Sequence, residues 1–227
     1  MDTEIEIKLL VDAAHRQALC QLLDNHSNRV GRSSRVLANS YFDTPGQQLR
    51  QWQMGLRVRS RDGQHEQTIK TAGREVGGLH QRPEYNLPVS EPWPQLHAFD
   101  AGIWPADADL NTLQTALSPL FITTFERQLW VLEFDDDSAV EVAFDQGEIS
   151  ANGRTEAICE VEFELLRGSA DHLFDLAAAL ARSARARPRN AARALGLQPD
   201  SSCVSAGMIS NRSPTMRRAL LVMRSTW

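Results

Sequence analysis

Thr3-Glu4-Ile5-Glu6-Ile7-Lys8-Leu9-Leu10 alternates strictly between charged and apolar residues. At two-residue periodicity this is a β-strand with Glu4, Glu6 and Lys8 on one face and Ile5, Ile7 and Leu9 on the other. Such a pattern ordinarily describes a strand whose charges lie in water. Three further stretches repeat it. In Leu56-Arg57-Val58-Arg59-Ser60-Arg61 the arginines share a face, and in Glu160-Val161-Glu162-Phe163-Glu164-Leu165 three carboxylates do. Arg82 and Glu84 are likewise co-facial, and Lys70 stands on a strand beside the arginines.

The charges are sorted by sign, and that argues against four solvated faces. Like charges side by side destabilise a sheet, and solvated surfaces mix them. Carboxylate clusters hold hard divalent cations through oxygen ligands. Converging arginines and lysines bind phosphate oxygens, arginine through a planar fork and lysine as a point charge. Acids and bases facing one interior therefore suit a polyanionic, metal-bound ligand such as a polyphosphate.

The rest of the chain sets the frame for these strands. Asp62-Gly63 and Asn152-Gly153 are two-residue hairpin signals. Helices are expected after Asp12, to about Asn25, and after Ser169, to about Ser183, with an irregular helical insert from Pro92 to Pro119 and a short helix after Pro188. Strands are expected at Ser34–Phe42, Leu79–Val89, Ile122–Phe134, Ala139–Phe144, Gln146–Ser150 and Glu156–Leu166. Gly73–Gly78 lacks the Lys-Ser/Thr ending of a P-loop and reads as a loop. Hairpins outnumber helices, so the fold class is α+β and mostly antiparallel, and about eight alternating strands can close into a barrel. The five tryptophans are expected to pack the barrel exterior against its helices.

Composition narrows the function classes. The chain has 227 residues, 42% hydrophobic and 23% charged, with a formal net charge of −5, which gives no support to nucleic-acid coating. It contains no run of membrane-span length. Three separated cysteines (Cys20, Cys159, Cys203) and an acidic start at Met1-Asp2-Thr3-Glu4 suit a reducing, cytoplasmic location. From Ser201 the chain carries Arg212, Arg217, Arg218 and Arg224 and no acid. The expected division is a domain over 1–199 and a basic, poorly ordered tail over 200–227. Composition specifies no oligomeric state. His65, His80 and His172 have no metal-ligand spacing and are assigned to structure or surface. Tyr41 reads equally as a packed aromatic or as a group orienting water or a leaving group.

Taken together, the motifs resemble the CYTH superfamily, the triphosphate tunnel metalloenzymes. Besides Glu4-Ile5-Glu6-Ile7-Lys8, the resemblance rests on Tyr41-Phe42-Asp43-Thr44-Pro45, Leu56-Arg57-Val58-Arg59, Thr68-Ile69-Lys70-Thr71-Ala72-Gly73 and Gln81-Arg82-Pro83-Glu84-Tyr85. It continues through Glu126-Arg127, Phe144-Asp145-Gln146-Gly147 and Cys159-Glu160-Val161-Glu162, in family order over roughly residues 2 to 197. The bacterial inorganic triphosphatase branch is the most similar.

The resemblance implies an eight-stranded antiparallel barrel around a hydrophilic tunnel, with flanking helices. It implies Glu4, Glu6, Glu160 and Glu162 as ligands of Mg²⁺ or Mn²⁺. Lys8, Arg57, Arg59, Lys70, Arg82 and Arg127 would hold the triphosphate, and Glu84 and Asp145 would be supporting acids. Glu4, Glu6, Lys8, Arg59 and Lys70 would be the catalytic set, and Glu164 would share the inward face. The implied reaction is metal-dependent hydrolysis of inorganic triphosphate to pyrophosphate and phosphate. Two alternatives stay open: an organic triphosphate substrate (thiamine triphosphate, a nucleoside triphosphate, or ATP cyclised by an adenylate cyclase), and a non-catalytic polyphosphate- or nucleotide-binding module. Two positions depart from the family pattern. Asn86 stands where many relatives carry a second carboxylate, and Asn190, flanked by Arg189 and Arg193, stands where relatives supply a lysine.

Overall fold

The computed structural model describes residues 2–76, 79–184 and 187–188. Among the described residues the strands are β1 (Asp2–Leu10), β2 (Arg29–Asp43), β3 (Gly55–Arg61), β4 (Gln64–Lys70), β5 (Arg74–Val76), β6 (Leu79–Val89), β7 (Ser118–Glu133), β8 (Ala139–Ala151), β9 (Arg154–Arg167) and β10 (Arg187–Pro188). The helices are α1 (Arg16–Asp24), α2 (Gln48–Gln51), α3 (Leu110–Ala116) and α4 (Asp171–Ala184), with three short 3₁₀ turns. Eight strands close into an antiparallel barrel in the order β1-β9-β8-β7-β2-β3-β4-β6, and β6 returns to β1. Strand β1 is the closing stave: Asp2–Ile7 pair with β6, and Glu6–Leu10 pair with β9 along the other edge.

Local sequence explains the joints. Asp62 and Gly63 both have positive φ (51° and 76°), as do Asn152 and Gly153 (49° and 71°). This is the left-handed pair that a two-residue hairpin requires. The Asp12 carboxylate accepts from Ala14 N at 2.9 Å and starts the first helical segment. At α4 the Ser169 hydroxyl accepts from Asp171 N at 3.2 Å.

The apolar core lies outside the barrel, in two layers. On one side α1 and α4 cover β1, β7, β8 and β9 through Leu19, Leu23, Leu173 and Leu180, which meet Leu9, Trp130, Phe144 and Phe163. On the other side the insert after β6 covers β2, β3 and β4, where Leu96, Phe99, Trp104 and Leu113 meet Phe42, Leu56, Val58 and Ile69. Burying each large apolar side chain stabilises by about 1.5–3 kcal/mol. These two layers free the barrel interior to be polar. A third cluster, Tyr41, Phe121, Ile149, Ala151 and Ile158, sits on inward-facing positions and fills one end of that interior.

Several expectations are refined. Arg74–Val76 is a short strand paired with β6, so the glycine-rich segment is a loop only in part. The two strands expected across Ala139–Ser150 form one continuous β8. Arg187–Pro188 pair with Leu9–Leu10 of β1, while the helix expected after Pro188, Asn190 and the 200–227 tail lie outside the described residues. Trp130, Trp104 and Trp52 pack in the two outer layers as expected; Trp93 is 42% exposed, edge-on to Phe42. Among the described residues no helix is long and apolar enough to cross a membrane.

Candidate active site

The sign-sorted faces point inward. Glu4, Lys8, Arg57, Arg59 and Lys70 line one cavity of about 490 Å³, together with Glu84, Arg127, Asp145, Glu160 and Glu162. Glu6 and Arg82 lie on the same inward register, Arg82 directly across from Glu4, but do not line this cavity. Register explains the grouping: Lys8 stands opposite Glu162, Asp145 opposite both Arg127 and Glu160, and Lys70 opposite Glu84.

On the β7–β8–β9 wall Arg127 binds Asp145 with two hydrogen bonds, Nε to Oδ1 at 2.7 Å and Nη2 to Oδ2 at 2.6 Å, and reaches Glu162 Oε2 at 2.7 Å. Lys8 Nζ lies 3.0 Å from Glu162 and 3.4 Å from Glu6. Burial by itself would raise the Glu162 carboxyl, but Arg127 and Lys8 outweigh it and hold it well below the usual range. Asp145 goes the other way. Burial dominates, and despite Arg127 its carboxyl is pushed up to about 6, with Glu162 adding repulsion.

The opposite wall carries a second ionic chain. The Lys70 ammonium, 4% exposed, pairs with Glu4 and lies 3.2 Å from Glu84. Arg57 Nη2 is 3.8 Å from Glu84 and 3.1 Å from Thr68 Oγ1, to which it donates. Thr68 in turn donates to Asn86 Oδ1 at 2.7 Å, and Asn86 Nδ2 donates to Glu84 Oε1 at 2.9 Å. Burial would raise the Glu84 carboxyl, yet Lys70 and Arg57 hold it down to about 2. Burial and Glu6 raise that of Glu4. Glu164 is pushed up to about 7 by burial and by Glu4, Glu141, Glu162 and Glu6.

Arg59 differs from the other cations. Its Nε donates to Asn39 Oδ1 at 3.0 Å, and among the described residues no carboxylate forms an ion pair with it. Burial, with Arg57 and Arg127 nearby, lowers its guanidinium to about 9. A half-buried cation beside two others favours an incoming anion.

Asp145, Glu160 and Glu162 each offer a carboxylate oxygen within 4.8 Å of the others. Three hard oxygen donors at this separation fit a divalent cation. Of the four expected metal ligands this group contains Glu160 and Glu162, and it adds Asp145, expected only as a supporting acid. Glu4 and Glu6 sit against Lys70 and Lys8 instead.

Sequence reasoning missed Asn39, Thr123 and Glu141, which also line the cavity. Asn39 and Thr123 are bonded to each other at 3.1 Å. The parity of Asn39 with Tyr41, and of Glu141 with Asp145, carries the signal. Tyr41 lines the cavity and stacks on Phe121 with ring centroids 4.4 Å apart. His65 bonds Ser60 and His172 bonds Asp136, while His80 stands opposite Glu6.

The CYTH domain family model matches residues 2–193. A curated inorganic triphosphatase from Haemophilus influenzae is 40% identical over 172 residues, 76% of this chain and 47% of that protein. The chain thus spans about half the length of that relative. A solved Hippeastrum protein, studied as a candidate adenylyl cyclase and described as having a dominant triphosphatase activity, is 16% identical. It superposes with a TM-score of 0.54 over 82% of this chain and 90% of that one, a likeness of fold alone. With the closed barrel and its inward-facing motifs, the family match leads to one conclusion: the chain belongs to the CYTH domain family.

Proposed function

We propose that this protein hydrolyses inorganic triphosphate, with water, to pyrophosphate and phosphate inside the barrel, in a reaction that requires a divalent cation. The observation that carries this reading is the single cavity in which Lys8, Arg57, Arg59, Lys70 and Arg127 converge beside the Asp145–Glu160–Glu162 carboxylates. The name of the 40% identical relative supports the choice of substrate.

Little covalent work falls to the protein in phosphoryl transfer; positioning and charge stabilisation dominate. Arg57, Arg59 and Lys70 hold the phosphate chain from the β3–β4 wall, while Lys8 and Arg127 reach it from the acidic wall. Arg82, across from Glu4, adds positive potential. Glu84, held ionised, fixes the directions of Lys70 and Arg57. The residues that would hold the cation are Asp145, Glu160 and Glu162, while Glu4 and Glu6 pair with Lys70 and Lys8. Mg²⁺ and Mn²⁺ both suit such oxygen donors. A cation bound there supplies neutralisation of phosphoryl charge and acidification of water. Cys20 and Cys159 are free thiols, in keeping with a reducing compartment, and we place the enzyme in the cytoplasm.

A phosphate-release assay tests this reading, with triphosphate, ATP and thiamine triphosphate each measured with Mg²⁺, with Mn²⁺ and with chelator. Preferred, cation-dependent turnover of triphosphate is expected. A strong preference for ATP, or tight triphosphate binding without turnover under either cation, would overturn it.

A further inference from the structure

Arg57, Arg59 and Arg61 are successive inward positions of β3, spaced by about 6.6 Å. Their exposure grades outward: Arg57 is buried, Arg59 is half-buried and the Arg61 side chain is 44% exposed. The row therefore climbs from the inner cavity to the barrel mouth. At that mouth a second cavity of about 690 Å³ is lined by Arg35, Arg59, Arg61, Glu66 and Pro88, among others. Arg59 lines both cavities and so forms the partition between them.

The charge of this outer cavity is unbalanced. Arg35 stands opposite Arg127 in the β2–β7 pairing, and among the described residues no carboxylate pairs with Arg35 or Arg59. Arg61 has one loose partner, the exposed Asp62 at 3.6 Å, and exposed pairs of this kind are weak. Among the described residues, Glu66, across from Arg59, is the one acid in the lining. Among the described residues the lining holds no Phe, Tyr or Trp to stack a nucleobase, and the His65 ring is engaged with Ser60 Oγ at 2.7 Å. A string of phosphates suits this surface better than a nucleoside does.

The far end of the interior says where such a string must go. Tyr41, Phe121, Ile149, Ala151 and Ile158 fill it with apolar side chains. A polyanion does not thread through an apolar plug, because its charges would be buried unpaired. Phosphates that exceed the inner cavity leave by the arginine-lined mouth.

We propose that the mouth cavity is a second anion subsite, in which Arg35 and Arg61 hold the outlying phosphates of a linear polyphosphate whose end occupies the inner cavity. The inference rests on the reading that the inner cavity takes a phosphate chain. It makes the protein an end-binder of longer chains.

Equilibrium binding of the full chain separates the two ideas. Triphosphate and a polyphosphate of about ten units are titrated calorimetrically with chelator present, against wild type, Arg35→Ala, Arg61→Ala and the double variant. Arg154→Ala, on the hairpin at the plugged end, is the control for bulk charge. In wild type the longer chain is expected to bind more tightly than triphosphate. The double variant is expected to lower that preference about tenfold, the scale of one charge-assisted contact, and Arg154→Ala is expected to leave it unchanged. Equal affinity of wild type for both anions, or equal loss of preference in Arg154→Ala, would overturn the subsite. Loss of preference in the double variant without triphosphate turnover in wild type would leave the subsite standing and remove the triphosphatase.

Discussion

Arg127 holds Asp145 in a two-pronged grip and spends its remaining reach on Glu162. One guanidinium thus bridges two carboxylates, buried Asp145 and half-buried Glu162, that also face Glu160. Removing one partner of such a group leaves uncompensated buried charge, at a cost of about 3–5 kcal/mol. Arg127→Ala is therefore expected to lower stability by about 3 kcal/mol in urea at neutral pH. Millimolar Mn²⁺ should recover part of that loss, and more than it adds to wild type. A variant that Mn²⁺ stabilises no more than wild type would argue against a cation site on this wall.

Glu160 is 5% exposed and belongs to the same carboxylate group. Glu160→Gln keeps shape and removes charge. The expected result is a rise of about 10- to 100-fold in the cation concentration needed for half-maximal phosphate release, with unchanged circular dichroism. An unaltered cation requirement would exclude Glu160 as a ligand.

Glu84 supplies a pH dependence with a definite sign. Lys70 and Arg57 outweigh burial and hold its folded value at about 2, against about 4.3 in an unfolded chain. A depressed carboxyl contributes stability that is fully present above the unfolded value and is lost as pH falls through the folded one. The window is thus pH about 4.5 down to 2, and the contribution is at most about 3 kcal/mol. In thermal melts across this window Glu84→Gln should show a shallower decline than wild type; parallel curves would refute the assignment.

Gly147 tests the closeness of the barrel wall. A Cβ there would meet Thr124 O at 2.0 Å and Phe125 Cα at 2.5 Å, both backbone atoms that cannot swing away. Gly147→Ala is expected to destabilise by about 2–3 kcal/mol in chemical denaturation, at the upper end of ordinary overpacking.

Strand periodicity carried most of the barrel into the sequence. The four sign-sorted strands, the two hairpin dipeptides and the insert all stand where their residues place them. What eluded the sequence depends on partners far along the chain. The continuity of β8 was hidden because Phe144-Asp145-Gln146 looks like a break until β7 and β9 bracket it, and with it went the parity that joins Glu141 to Asp145. The inward face of Glu4-Ile5-Glu6-Ile7-Lys8 was suggested only by comparison with other strands, since alternation alone cannot say which side is wet. Which carboxylates meet is set by barrel stagger, and no local pattern encodes it. That is why Asp145, rather than Glu4 or Glu6, stands with Glu160 and Glu162.

The double edge of β1 also has a temporal side. Its two long pairings are with β6, which follows after a long excursion of chain, and with β9, which arrives only near the end of the domain. A growing chain leaving the ribosome presents its first strand long before either partner exists, and such distant pairings are slow to close. The same Glu4, Glu6 and Lys8 that later face inward keep this waiting strand hydrated and discourage it from pairing with a neighbouring nascent chain. Charge on an unpaired strand edge opposes pairing with other chains, so the residues that make the interior polar also make the open edge less adhesive.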